Sequence, residues 1–287
     1  TINSMGVFLT ERNWGDLLDL HGGRRDLCEG VIRVHHDASF SDDPTRILRA
    51  IRYMGRLGMA MEPHTEYLLR RDILCLGSVG GKRIWKELQH ILRERHATGI
   101  LREANDLGVL SAIYPGFGFE GDVLSAFSQL CTTPSVEADM VVLALLTSSI
   151  PPHERKGLIA RLDLDSRAAT VVGDMETVKK VSCQIASRRM KASSIYKALY
   201  GLSKPAITAC SLLSDDPHIS ENLKLFLPDL KQVKTELSGA HLVSLGIPEG
   251  PKIGDILRDL LVARLDGEIA SLEEEKDFVL DCVAELE

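Results

Sequence analysis

The sequence predicts a mainly α protein: a short β segment of about 40 residues followed by an all-α array. Three observations predict it. Aromatic residues make up only 5% of the 287 residues, against the Tyr-, Phe- and Trp-rich strands of sandwiches and barrels. Leu, Ala, Arg and Glu, all good helix formers, are abundant. Apolar residues recur at helical spacing from Ile47 nearly to the C-terminus. A hydrophobic content of 44% supports a folded core and excludes a disordered chain.

Residues 6–10 and 31–36 read as short strands, with a turn-rich link carrying Gly15, Asp16, Gly22 and Gly23 between them. After Ser39 the period changes. Ile47, Leu48, Ile51, Met54 and Leu57 share one helical face. Ser41 or Asp42 can cap that helix, Pro44 fits its first turn and Gly58 can end it. Further helices are expected over about 63–75, 82–95 and 98–107, before the break at Pro115-Gly116. From Pro134 the pattern stays helical, over roughly 137–149, 152–162, 166–181, 191–200, 204–214, 218–237, 239–245 and 252–265. A last helix starts near Ser271, which with Glu274 makes a capping box. Glu273-Glu274-Glu275 reads as the solvated first turn of that helix, favourable to its dipole.

The net charge is −7, yet residues 44–103 hold 12 Lys/Arg against 6 Asp/Glu, a local +6 that leaves −13 for the remainder. Such asymmetry suits a polyanion on one face, and equally an Arg-rich solvated helix. The six cysteines (Cys28, Cys75, Cys131, Cys183, Cys210, Cys282) are widely spaced, with neither zinc-ligand nor disulfide-framework spacing. They fit a reducing cytoplasm. No apolar run reaches the ~20 residues of a membrane span, and no signal peptide is visible.

The segment 39–58, SFSDDPTRILRAIRYMGRLG, carries the most chemistry. At about 100° per residue, with Arg46 at zero, Arg49, Arg52 and Arg56 fall near 300°, 240° and 280°. Four guanidinium groups thus share one stripe of about 120°. A polyphosphate or an acidic partner would relieve their repulsion. A wetted face with an ordinary Asp43–Arg46 ion pair is the plainer reading. The sharper one is a base reader. A carboxylate accepts and a guanidinium donates. Side by side they match the amino-next-to-ring-nitrogen edge of cytosine and adenine and mismatch uracil and guanine. Arginines one and two turns on could reach a triphosphate.

Four blocks make the chain resemble a known family, the class II tRNA nucleotidyltransferases: CCA-adding enzymes, A-adding enzymes and bacterial poly(A) polymerases. Thr1-Ile2-Asn3 resembles the end of an RRDFTINA block. Asp19-Leu20-His21-Gly22-Gly23-Arg24-Arg25-Asp26-Leu27 with Ile32-Arg33 resembles D-x-x-G-G-x-x-D-L…I-R. Asp42-Asp43-Pro44-Thr45-Arg46 resembles the base-choosing template, usually E-D-x-x-R, with Asp replacing Glu. LVSLGIPEGPKIGDILRDLLVARLDGEI resembles the closing helical segment.

The resemblance implies that residues 1–40 are the end of a nucleotidyltransferase head, 41–116 a neck with the template helix and RNA-binding helices, and 117–287 a helical body and tail. It implies ATP and/or CTP as substrate, with Asp43 and Arg46 pairing with the base, Arg49 and Arg52 on the phosphates, Asp42 orienting Arg46, and Asn3 near the nucleotide. A tRNA or other RNA 3′ end would be the partner, with Lys82, Arg83 and Lys86 as phosphate contacts. The family's D-x-D pair, which holds Mg²⁺, lies upstream of RRDFTINA and is not matched here. Asp16…Asp19 has the wrong spacing. So no catalytic residue and no metal ligand is assigned, the chain alone is expected to be inactive, and a missing N-terminal catalytic head is the expected partner. A stand-alone RNA-binding or regulatory remnant is the alternative; an in-frame G-[SG]…D-x-D segment upstream would decide against it.

Two weaker patterns remain. His35-His36-Asp37 contains an HD pair, but His64, His90 and His96 complete no phosphohydrolase pattern, and strand-end histidines are expected. Gly250-Pro251 and Gly254 lie between two helices, as in a helix–hairpin–helix phosphate contact, and equally in a close-packed corner.

Overall fold

The computed structural model describes residues 1–119, 123–130, 137–186, 190–227, 230 and 233–284. Cys131 and Pro134 lie outside them. The chain divides into two compact units, Thr1–Gly173 and Asp174–Glu287.

The first unit opens with two short sheets. β1 (Gly6–Val7) pairs antiparallel with β2 (Leu17–Leu18), and β3 (Val31–Ile32) pairs parallel with β4 (Ala60–Met61). Between the sheets the expected turn-rich link contains a helix, α1 (Gly23–Glu29), because Asp19 caps it. Its Oδ1 accepts from the Gly23 N–H at 2.8 Å and its Oδ2 from the Arg24 N–H at 2.9 Å. Gly22 turns with φ 72°, and a Cβ on Gly23 would meet the Thr1 carbonyl oxygen at 2.8 Å. Asp26 is buried and accepts from Arg33 Nε at 3.1 Å. The D-x-x-G-G-x-x-D-L…I-R block is thus a helix cap, a tight approach and a half-buried ion pair.

Helices follow: α2 (Ser39–Asp42), α3 (Thr45–Leu57), α4 (Pro63–Asp72), α5 (Gly81–Leu92), α6 (Ala97–Asp106), α7 (Val109–Ile113), α8 (Val123–Leu130), α9 (Ala138–Leu146) and α10 (Arg155–Leu162). A 3₁₀ segment, Ile73–Ser78, takes the end of the expected 63–75 helix. Residues 39–42 form their own turn, with Phe40 fully buried. Pro44 holds the preceding Asp43 in extended backbone, φ −145°, ψ 93°, so α3 starts afresh at Thr45. Its buried face is Ile47, Leu48, Ala50 and Ile51, and Gly58 ends it at φ 66°. That face packs on α5 and α6. The approach to α6 is close: a Cβ on Gly55 would lie 2.3 Å from Ile100 Cγ1. α5 meets α10 as tightly, since a Cβ on Gly81 would lie 2.2 Å from the Arg161 carbonyl oxygen. Arg161 in turn donates to the carbonyls of Val79 and Leu76, at 2.9 and 2.8 Å.

α11 (Ser166–Gln184) leads into the second unit, which continues with α12 (Ala192–Leu199), α13 (Lys204–Leu213), α14 (Pro217–Phe226), α15 (Gly239–Ser244), α16 (Pro251–Leu265) and α17 (Leu272–Ala284). The helix expected over 218–237 stops at Phe226; residues 233–237 are not helical, and 228–229 and 231–232 lie outside the described residues. At α17 the Ser271–Glu274 box forms as expected: Glu274 Oε2 accepts from the Ser271 N–H at 3.1 Å, and Ser271 Oγ from the Glu274 N–H at 3.3 Å. The acidic run is not a solvated turn throughout. Glu275 is fully buried, accepts from the backbone N–H groups of Glu236 and Leu237, and is bonded to Arg264. Leu237, Leu242, Ile256, Leu260 and Val279 belong to one buried apolar cluster of this unit. Among the described residues no helix is long and apolar enough to cross a membrane. Among the described residues Cys28, Cys75 and Cys183 are free thiols.

Gly55→Ala is expected to cost about 1–3 kcal/mol by forcing α3 from α6, although Ala is the better helix former by about 1 kcal/mol. Gly173→Ala, with nothing within 4 Å of the added carbon, should be neutral or stabilising. Urea unfolding should show Gly55→Ala destabilised and Gly173→Ala at least as stable as the parent.

Burial by itself would raise the Glu275 pKa, but Arg264 and the two backbone donors more than offset it, so it lies below the ordinary 4.5. A depressed carboxyl pKa stabilises the fold above the unfolded value, and that stability is lost as pH falls through the folded one. Protection factors at Leu237 and Leu242, that is, exchange rates corrected for their intrinsic pH dependence, should therefore fall on acidification below about pH 4.5. Glu275→Gln should exchange faster at pH 7 and respond less to acid.

Candidate functional site

α3 places the arginine stripe, and its surroundings divide it. Arg52 turns to α5 and its end: Nη1 lies 3.3 Å from Glu94 Oε1 and Nη2 lies 3.9 Å from Glu87 Oε2. Arg56 reaches Glu94 at 4.0 Å. For these two the acidic partner that relieves like-charge repulsion is intramolecular. Among the described residues Arg46 and Arg49 make no ion pair. Both line an open cavity of about 430 Å³, together with Asn3. Arg46 is steadied by donating from Nη1 to the Ser39 carbonyl at 3.2 Å. Tyr53 stands beside them. Burial would raise its pKa, but bonding to Asn3 and the cations Arg52 and Arg49 draw it below its ordinary value.

Asp43 sits where α3 begins and does not line the cavity. All its contacts use one oxygen: Oδ1 accepts from Thr45 Oγ1 at 2.7 Å, from the Thr45 N–H at 3.2 Å and from Arg83 Nη2 at 2.9 Å. Burial would raise the Asp43 pKa; Thr45 first and Arg83 after it more than reverse that, and the carboxyl is held below its usual range. Asp43 is therefore an anion whose second oxygen, Oδ2, makes no hydrogen bond among the described residues. Asp42 is exposed on the preceding turn and makes no bond to Arg46.

Of the six residues singled out for a nucleotide, the cavity gathers Asn3, Arg46 and Arg49, with Asp43 at the start of the same helix. Arg52 is held away by Glu87 and Glu94. The three residues singled out for phosphate contact also separate. Lys82 and Lys86 are exposed one turn apart at the start of α5, Lys82 lying 3.5 Å from Asp163. Arg83 is committed to Asp43.

Sequence reasoning missed His21, Arg33, His35 and Tyr53, which all line the cavity. His21 lay within the D-x-x-G-G block and His35 at a strand end, so neither spacing nor periodicity marked them. The HD pair is used structurally: Asp37 Oδ1 bonds His64 Nε2 at 2.9 Å. No group of three or more His, Cys, Asp or Glu among the described residues could hold a metal ion.

No family model matches the chain. Single proteins do. The A-adding tRNA nucleotidyltransferase of Geobacter sulfurreducens is 34% identical over 293 residues, which cover 96% of this chain and 33% of that protein. The chain thus spans a third of that relative's length. Among solved structures, the Thermotoga maritima CCA-adding enzyme complexed with tRNA is 30% identical with a TM-score of 0.82, over 99% of this chain and 72% of that one. CCA-adding enzyme complexes with ATP and with CTP, 28% and 29% identical, give TM-scores of 0.79 and 0.80, over 100% and 99% of this chain and 70% of each of theirs. Agreement of sequence and backbone over nearly the whole chain is what common descent produces, and this protein belongs to the class II tRNA nucleotidyltransferase family.

Proposed function

We propose that this chain is the nucleotide-selecting and RNA-holding part of an enzyme that adds C and/or A to tRNA or other RNA 3′ ends. One observation carries the reading: two arginines of a four-arginine stripe, Arg46 and Arg49, have no acidic partner among the described residues and stand on the wall of a cavity of about 430 Å³. A cavity of that size is within the range of small-molecule sites. The complexes of similar enzymes with ATP, CTP and tRNA support nucleotide and RNA as ligands.

In this reading the base meets the start of α3. Arg46 donates to the ring nitrogen and Asp43 Oδ2 accepts from the amino group, the pattern that cytosine and adenine share. Arg49 and Asn3 hold the rest of the nucleotide. Arg52 acts from behind, tying α3 to α5, and touches no ligand. Lys82 and Lys86 hold RNA phosphates, while Arg83 positions Asp43. No residue of this chain is assigned to the family's Mg²⁺; in this reading a separate catalytic head supplies the carboxylate pair that holds it. The free cysteines suit the reducing cytoplasm in which we place the protein.

The test is base choice in a full-length protein carrying this segment. Asp43→Ala and Arg46→Ala each remove one base-edge bond to a charged group, worth about 1.5–3 kcal/mol. The preference for ATP and CTP over UTP and GTP should fall about ten- to hundredfold in incorporation assays. Arg49→Ala should weaken all four about equally, since phosphate contacts carry no base information. An unchanged preference in Asp43→Ala with an altered one in Arg49→Ala would overturn the template reading.

Replacing Lys82 and Lys86 together by Ala should weaken tRNA binding. The slope of log affinity against log salt should become shallower by about 0.7–0.9 for each RNA phosphate that is no longer neutralised. A double variant with the parent's affinity and salt slope would remove α5 from the RNA site.

A further inference from the structure

Two imidazoles on the wall of the same cavity have no part in the scheme so far. His21, from the loop before α1, and His35, just after β3, both line it with Arg46 and Arg49. Their ring centroids are 4.4 Å apart and their planes 60° apart, an edge-to-face contact. Both residues are exposed, and among the described residues neither ring makes a hydrogen bond. They contrast with His64, tied to Asp37, and with Tyr53, whose hydroxyl serves Asn3 and Arg49. Two rings brace each other in a cation-lined cavity with their polar edges unused and their surfaces open to a ligand. The His35 pKa lies below its ordinary value, from burial first and then from nearby positive groups, Arg46 among them. Its ring is neutral at pH 7, suited to contact by its face and unsuited to holding phosphate by charge.

We propose that His35, braced edge-to-face by His21, is the surface on which the base of the bound nucleoside triphosphate stacks. This rests on reading the cavity as the nucleotide site. Stacking adds what the edge contacts lack. Arg46 and Asp43 choose between bases, whereas a flat neutral ring beside Arg46 holds any base in the plane where its edge can be read. Every base has a π-face, so this contribution is indifferent to base identity.

The experiment is calorimetric titration of a full-length protein carrying this segment with ATP, CTP, UTP and GTP, for the parent, His35→Ala, His35→Phe and His21→Ala. Removing an aromatic partner of a base weakens binding by roughly tenfold, and that loss is expected for ATP and CTP in His35→Ala, with the ratio of ATP to UTP affinity unchanged. His35→Phe should bind within about threefold of the parent, since a benzene ring stacks as an imidazole does. His21→Ala should give a smaller loss than His35→Ala. In the parent, the ring-proton resonances of His35 should move upfield on addition of ATP, a readout independent of any variant's folding. Parent-like affinity in His35→Ala, failure of Phe to restore binding, collapse of the base ratio in His35→Ala, or unmoved His35 resonances at saturating ATP would each overturn the stacking role while leaving the nucleotide site intact. A parent that binds none of the four nucleotides would overturn both readings.

Discussion

The start of α3 depends on a single carboxylate. Asp43 is the hinge between α2 and α3, and its Oδ1 gathers Thr45 and Arg83 into one knot. That knot fixes where α3 begins and, through Arg83, ties the start of α3 to α5. An exposed ion pair alone contributes no more than about 1 kcal/mol. Here the pair is joined by a hydroxyl and a backbone donor on the same oxygen, and Pro44 has already restricted the Asp43 backbone. Local stiffness, more than Coulomb attraction, sets the direction in which Oδ2 is offered.

The two ends of the arginine stripe divide the labour of α3. Arg52 and Arg56 are neutralised by Glu87 and Glu94, which holds the helix on its neighbours. Among the described residues Arg46 and Arg49 have no such partner and face the cavity instead. The Asp43–Arg46 ion pair of the plainer reading does not form, because Asp43 is taken by Thr45 and Arg83. The close approaches at Gly55 and Gly81 serve the same arrangement by bringing α6 and α10 against the helices that carry the site.

Similar economy marks the block that precedes them. Asp19 caps α1 and Asp26 holds Arg33, and between them His21 is delivered to the cavity wall. In the second unit Glu275 shows the same physics without a ligand: a buried carboxylate is tolerated because Arg264 and two backbone donors meet it.

The sequence by itself determined the helical class, most helix positions, the Ser271–Glu274 cap and the family, because these are written in local spacing and in strings of adjacent residues. Arg46 and Arg49 were legible for the same reason, since helical periodicity places them. Tertiary structure decided everything that required a partner distant in the chain. It turned Arg52 toward Glu87 and Glu94, drew Arg83 from the phosphate group to Asp43 across 40 positions, buried Glu275 against Arg264, and ended at Phe226 a helix whose apolar pattern ran on. It also brought His21 and His35 together, two histidines that lie 14 positions apart in the sequence. A charge or a ring has no intrinsic preference for solvent, ion pair or ligand. The choice is made by which groups the packing of other elements brings within bonding distance, and no local pattern records that.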